Sequence, residues 1–333
     1  MATNLGMPPL PPRTAAPAWR TAWDRALYGP HGFYRRSSPA DHFRTSVHGS
    51  TVLAEALVRL LRDRGLDTLV DVGCGRGELL TAVHRLAPDV TLLGVEVAAR
   101  PAELPAAVDW SPVLPTAVDG VLLAHEWLDN VPCHVVEVDS HGAIRVVHVD
   151  PGTGEESLGH RLDEPGVPAG LGAWLEEWWP LDLREPGTRA EVGTSRDRVW
   201  ADAAGRVGRG LAIAVDYGHV RAGRPPYGSL RSYRDGREAD VRPDGSRDVT
   251  AAVAVDAVAA ATGGTVLRQR EALALLGVSA ERPPLSLARS APQEYVAALA
   301  TATRATDLTA PGGLGDFYWV ISGGSHEPRP ALG

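Results

Sequence analysis

The stretch LVDVGCGRGELL at 69–80 constrains the fold most: an apolar run passes into three alternating glycines and then into a helical pattern. Glycine at such a turn takes positive φ and lets backbone N–H groups approach a ligand closely. A strand, a glycine turn and a helix start form the first unit of a parallel α/β sheet, with the turn at the carboxyl edge where ligands of such sheets lie.

The flanking patterns extend that unit. In STVLAEALVRLLRDRG (50–65), Val52, Leu53, Ala56, Leu57, Leu60 and Leu61 fall at helical spacing, with Ser50 or Thr51 to cap it and Gly65 to stop it. GELLTAVHRLAPD (77–89) reads as a helix, whereas VTLLGVE (90–96), VDGVLLAHE (118–126) and GLAIAVDYG (210–218) read as buried strands. HVVEVDSHGAIRVVHVD (134–150) reads as a hairpin about Ser-His-Gly, and AGLGAWLEEWWP (169–180) as a short helix ended by Pro180. Its Trp174, Trp178 and Trp179 suit core packing, with an exposed partner patch as the other use. Farther on, the pattern predicts a helix over 249–262, a strand near 264–270, helical pieces at 271–277 and 290–304, and a last strand at 316–323.

The expected organisation is a disordered Pro-rich tail (1–20), an N-terminal helical or lid segment (21–64) and an α/β domain (65–333) with insertions at about 133–195 and 219–248. Within the first insertion lie the hairpin and tryptophan helix; the second is an Arg-, Gly- and Pro-rich loop. A loop of that length is functional or disordered, and solvation is the simpler reading. Tyr28, Phe33 and Tyr34 suit either a lid or a staple for the N-terminal segment.

Composition removes several chemistries. The sequence holds no lysine, so all 33 basic residues are arginine. A Walker phosphate loop and a pyridoxal Schiff base each need a lysine, so both are excluded. A net charge of −8 speaks against nucleic acid as a partner. The two cysteines, Cys74 and Cys133, suit neither a disulfide framework nor a zinc set, so no metal is expected. No apolar run approaches the roughly 20 residues of a membrane helix, and the N-terminus lacks a signal-like apolar region, pointing to the cytoplasm.

Polar groups gather at the expected strand ends. Asp71 precedes Gly73, Gly75 and Gly77; Glu96 closes the second strand, about 20 residues beyond the turn, where an acid accepts hydrogen bonds from a ribose diol. Asp109 and Trp110 supply a polar group beside a flat face suited to adenine, and Glu126 and Asp216 end two further strands, Glu126 as a contact to cofactor or acceptor. A dinucleotide fingerprint would need a third glycine at position 78, which is Glu78. The tighter G-x-G-x-G form suits a ligand without pyrophosphate. S-adenosylmethionine is one, and its cationic sulfonium and ammonium favour acidic surroundings.

With ALYGPHGFY (26–34), HEWLDNVP (125–132), DYG (216–218), GSLRSY (228–233), DVT (248–250) and the closing LLGV and GGLGDFYWV, the chain resembles the MidA-type class I methyltransferases, related to a mitochondrial complex I assembly factor that methylates a protein arginine. The resemblance spans roughly 22–322. It implies a Rossmann-like, mostly parallel seven-stranded sheet whose last strand inserts antiparallel. It implies donor contacts from Gly73, Gly75, Gly77 and Glu96, with HEWLDNVP lining the junction of donor and acceptor. An arginine acceptor needs carboxylates that fork its guanidinium and carry away its proton, for which Glu126, Asp129 and Asp216 are the candidates. The chain departs from the family pattern at Val47, His48, His125, Ala252 and Ala254. Those departures motivate two other readings: a small-molecule acceptor with His125 as base, or a donor-binding assembly protein without turnover.

Overall fold

The computed structural model describes residues 16–36, 51–324 and 332. Its central sheet has seven strands, numbered in chain order: β1 (Thr68–Val72), β2 (Thr91–Val95), β3 (Val108–Ser111), β4 (Val118–His125), β5 (Val207–Asp216), β6 (Thr265–Arg268) and β7 (Tyr318–Gly323). The spatial order is β6-β7-β5-β4-β1-β2-β3. The pairs β1–β2, β2–β3, β1–β4 and β4–β5 are parallel, whereas β7 runs antiparallel to both β5 and β6. A Rossmann-like sheet with an antiparallel last strand is therefore present.

Side chains in β1, β4 and β5 alternate between two cores. Leu69, Val121, Leu123, Leu211, Ile213 and Val215 join a layer with helices α2 (Thr51–Asp63) and α3 (Glu78–Leu86). Val70, Val72, Leu122, Ala124, Ala212 and Ala214 face a second layer, which includes Trp200 and Ala203 of α5 (Thr194–Ala204). Burial on both faces explains why these strands read as continuous apolar runs rather than alternating ones.

Between β4 and β5 the chain builds a separate antiparallel sheet from Glu156–Arg161, Ile144–Val149, His134–Val138 and Arg189–Val192. Its hairpin pairs Val136 with Val146, as expected from sequence. The tryptophan helix α4 (Leu171–Trp178) packs beside this sheet: Trp174 and Trp179 are buried, and the Trp174 indole N–H donates to Asp197 at 2.7 Å. Trp174 and Trp179 thus serve the core.

The N-terminal helix α1 (Trp19–Tyr28) lies against the inserted sheet. Trp19, Trp23 and Leu27 share a core with Val135, Val147, Val149 and Val249, and the Trp23 N–H donates to the Val249 carbonyl at 2.8 Å. The segment read as tail over 1–20 therefore gives way to helix at Trp19.

Two other expectations change. Residues 249–262 are not one helix: Asp248–Thr250 and Val253–Ala254 are strands, and only Val255–Ala260 is helical. Asp248 and Val249 pair with Tyr233 and Ser232, and that tertiary pairing outweighs the alanine-rich helical propensity of the following residues. The 220–248 loop also carries structure, with strands Arg231–Arg234 and Arg237–Ala239 joining Asp248–Thr250 in a three-stranded sheet.

Candidate active site

At the end of β1, Gly73, Gly75 and Gly77 have φ of 69°, 58° and 77°, in the left-handed region that favours glycine. A Cβ on Gly73 would lie 2.8 Å from Trp127, and one on Gly77 would lie 2.6 Å from Leu104. At Gly75 the nearest atom would be 3.9 Å away, so its outer side is open. That open side borders a cavity of about 250 Å³ shared with Tyr34, Arg36, Glu96 and Ala98.

Glu96 closes β2 and faces this cavity. One carboxylate oxygen accepts the Gly75 N–H at 3.2 Å and the other the Ala98 N–H at 3.1 Å. The Val97 amide also bears on this carboxylate, which can accept about four bonds in all. Burial raises the Glu96 pKa, while these amide bonds oppose the rise.

Of the other residues read as cofactor contacts, Asp71, Asp109 and Trp110 do not border this cavity, and Glu126 borders a different one. Asp71 is buried on β1, and burial, then Glu96 and Glu78, push its pKa up to about 8. Trp110 packs its ring against Gly94 and donates its indole N–H to the Ala98 carbonyl at 3.1 Å. It supports the cavity wall from behind. Asp109, next to it on β3, points to the opposite side of the sheet and is exposed.

A second cavity of about 570 Å³ opens beyond β4, bordered by Glu126, Asp129, His219, Arg231, Asp248 and Phe317 among others. Glu126 holds φ of 52°, an uncommon conformation for a residue with a side chain, while its N–H donates to the Val215 carbonyl at 2.8 Å. Such conformations persist where the surroundings enforce them, and they cluster at functional sites.

Asp129 sits in the turn Leu128–Asn130 with its carboxylate well supplied: Tyr217 donates at 2.7 Å, Thr250 at 2.6 Å and Asn130 at 2.9 Å. Burial raises its pKa, partly offset by the Thr250 and Tyr217 bonds. Asp216 does not border the cavity. Its Oδ2 accepts the Leu128 and Asp129 N–H groups at 3.0 and 3.1 Å, so it anchors the turn that presents Asp129. Burial and the neighbouring Asp129 and Glu126 raise the Asp216 pKa well above its usual value.

His125 is also buried, its Nδ1 lying 3.6 Å from Glu126, and burial lowers its pKa to about 4. The imidazole is therefore neutral near pH 7 and stands behind Glu126 rather than at the cavity wall.

Several residues at the site had no role assigned from sequence, although Asp248 lies in the DVT motif. Asp248 is buried, with its pKa pushed up to about 7 by burial and then by Asp129, and it accepts the Tyr34 hydroxyl at 2.8 Å. Tyr34 borders the smaller cavity and Asp248 the larger, so this bond joins the two. Glu191, from the inserted sheet, accepts the Ser229 N–H at 2.9 Å and the Ser229 hydroxyl at 2.9 Å. That contact, with Ser229 Oγ accepting the Ala252 N–H at 3.0 Å, fixes the GSLRSY segment as a cavity wall. Motif order marked Tyr217, Ser229 and Thr250 as a set, but nothing in their spacing gave them a common partner. His48 and Val47, two of the departures from the family pattern, lie outside the described residues.

The raised carboxyl pKa values have a thermal consequence. Asp71 and Asp248 titrate near 3.8 without burial and near 8 and 7 in the fold. The native state thus binds more protons between about pH 4 and 8, so this stability is full below the lower value and is lost as pH climbs through the upper one. The melting temperature of the ligand-free protein should fall between pH 5 and pH 9, by roughly 1–2 °C for each kcal/mol lost in a chain of this length. Calorimetric scans should show a shallower slope for Asp71→Asn.

The strand order, the three left-handed glycines and the acid closing β2 define a class I α/β methyltransferase. The model of an S-adenosyl-L-methionine-dependent methyltransferase family matches residues 52–270, well over half of the chain. The chain belongs to this MidA-type family, and its methyl donor is S-adenosylmethionine. A crystal structure of a Burkholderia thailandensis protein bound to S-adenosyl-homocysteine is similar at a TM-score of 0.71 and 21% identity, covering 95% of this chain and 89% of that one. A native crystal structure from the same organism gives a TM-score of 0.70 at 20% identity, with the same coverage. At these identities the likeness concerns the fold. No curated protein matches. Among the described residues, no helix is long and apolar enough to cross a membrane, and no group of three or more His, Cys, Asp or Glu could hold a metal ion.

Proposed function

We propose that the chain methylates a protein arginine side chain, with the donor at the Gly75–Glu96 cavity and the acceptor in the larger one. The observation that carries this reading is the set of carboxyl groups around the larger cavity: Glu126, Asp129 and Asp248 border it, and Asp216 stands directly behind. Burial and mutual repulsion raise the pKa values of Asp129, Asp216 and Asp248. A guanidinium placed among them relieves that repulsion and offers N–H groups in a planar fork suited to carboxylates.

The residues of the smaller cavity fit the donor. Gly75 is open on its outer side, and the Glu96 carboxylate has acceptor capacity left for a ribose hydroxyl. When bound, S-adenosylmethionine supplies an activated methyl group. Glu96 presents its carboxylate to the donor, and Trp110 holds the cavity wall from behind. On the acceptor side, Glu126 orients a guanidinium nitrogen and takes up the proton released after transfer. Asp129, held by Tyr217, Thr250 and Asn130, provides a fixed second carboxylate. Orientation is the main catalytic contribution, on the order of 7–11 kcal/mol in well-aligned systems.

The test combines donor-binding calorimetry with transfer of labelled methyl into a lysate. Wild-type protein should bind the donor, Glu96→Ala should bind it at least tenfold more weakly, and label should enter protein as methylarginine. Label only in small molecules would replace the arginine reading with a metabolite acceptor. Donor binding without any transfer would instead favour an assembly role.

A further inference from the structure

One buried imidazole in the larger cavity has no part in the scheme above. His219 borders the cavity, is 8% exposed, and follows Gly218 on a short strand paired with Val253–Ala254. Arg224 fixes its state. The guanidinium donates to His219 Nδ1 at 2.7 Å and to the His219 carbonyl at 2.8 Å, and is held in turn by Asp256 at 2.5 Å and the Trp178 carbonyl at 3.0 Å. Arginine has no acceptor atom, so His219 Nδ1 must accept and the ring proton must sit on Nε2. Trp179 packs against the ring at 4.6 Å and 79°, which holds its orientation. Burial, with help from Arg224, lowers the His219 pKa to about 3, so the ring stays neutral.

The Nε2 atom is buried and has no hydrogen-bond partner among the described residues. A buried donor left unmet costs about 1–3 kcal/mol, so a fold that spends a buried arginine and an aspartate on fixing this tautomer is a candidate for presenting it to a ligand. The position is also informative. His219 pairs beside Ala254, while Asp248 stands six residues earlier on the same cavity floor, a separation of at most roughly 20 Å for extended chain. The cavity thus joins the carboxyl groups of Asp129 and Asp248 with a neutral imidazole at His219 whose buried Nε2 meets no acceptor among the described residues.

We propose that His219 Nε2–H receives a main-chain carbonyl oxygen of the acceptor, so that the site recognises the amide backbone as well as the cationic side chain. The proposal rests on the larger cavity being the acceptor site. It makes His219 a specificity residue: a free alkylguanidine satisfies the carboxyl groups only, whereas an arginine within a peptide satisfies them and the imidazole.

The experiment uses full-length protein saturated with S-adenosylhomocysteine and two probes, N-acetylarginine N-methylamide and n-butylguanidine. Calorimetry reads binding, and the ¹⁵N resonance of His219 Nε2, assigned with His219→Phe, reads the hydrogen bond. The amide probe should bind about 3- to 10-fold more tightly than butylguanidine and should move the resonance, whereas butylguanidine should leave it in place. His219→Phe should erase the difference between the probes, and His219→Gln, which keeps an N–H, should restore part of it. If both probes bind equally and the resonance is unmoved, the Nε2 proton faces Trp179 and the inference is overturned while the acceptor site stands. If the donor product binds but neither probe does, the arginine-acceptor reading falls, and the His219 proposal falls with it.

Discussion

Glu126→Gln should lower methyl transfer by about 10²–10⁴-fold, the usual range for losing a positioned proton acceptor, while donor affinity changes less than threefold. The substitution keeps side-chain length and the φ of 52°, and removes the charge facing the acceptor cavity. Single-turnover kinetics on pre-bound donor would separate this effect from binding. The matching change behind the wall should behave differently. Asp216→Asn weakens the anchor on the Leu128 and Asp129 N–H groups, so it should lower the melting temperature together with activity. A Glu126→Gln enzyme with near-wild-type turnover would show that the acceptor loses its proton elsewhere.

The glycine turn yields the second large expected effect, and its three members should fail in distinct ways. Gly73→Ala forces a left-handed φ on alanine, at about 1–2 kcal/mol, and drives its Cβ to 2.8 Å from the Trp127 ring. Trp127 leads into the Leu128–Asn130 turn, so stability and acceptor geometry should both suffer. Gly75→Ala carries the same backbone strain but finds open space, with Glu78 3.9 Å away. Its methyl group borders the donor cavity, so its stability cost should be confined to that strain while donor binding weakens by at least tenfold. Thermal melts with and without donor would resolve the two. Equal donor affinity for Gly75→Ala and wild type would remove the turn from the donor site.

The two sets of residues differ in how far sequence alone reaches them. Gly73, Gly75, Gly77 and Glu96 lie on consecutive strand ends of one βαβ unit, so chain spacing alone brings them together. The acceptor wall instead takes Glu126 from just past β4, Tyr217 from just past β5, Ser229 and Arg231 from the second insertion, and Asp248 and Thr250 from a strand whose surroundings read as helix. Asp129 illustrates the difficulty. Its bonds to Tyr217 and Thr250 span 88 and 121 residues of chain, distances over which no local periodicity carries information.

Asp216 and Trp110 mark the same limit from the other side. Both occupy the strand-edge positions that the pattern picks out, yet Asp216 turns inward to hold main-chain amides and Trp110 supports a wall from behind. Side-chain direction at a strand end depends on what packs against it, and the packing partners here come from distant parts of the chain. The sequence by itself determined the parallel sheet, the glycine turn and the acid that faces it, because continuous apolar runs, positive φ and βαβ spacing are local properties. Only the tertiary structure decided which acids border the acceptor cavity, which ones hold its walls, and which nitrogen of His219 carries the proton, because each depends on contacts between elements that the chain keeps far apart.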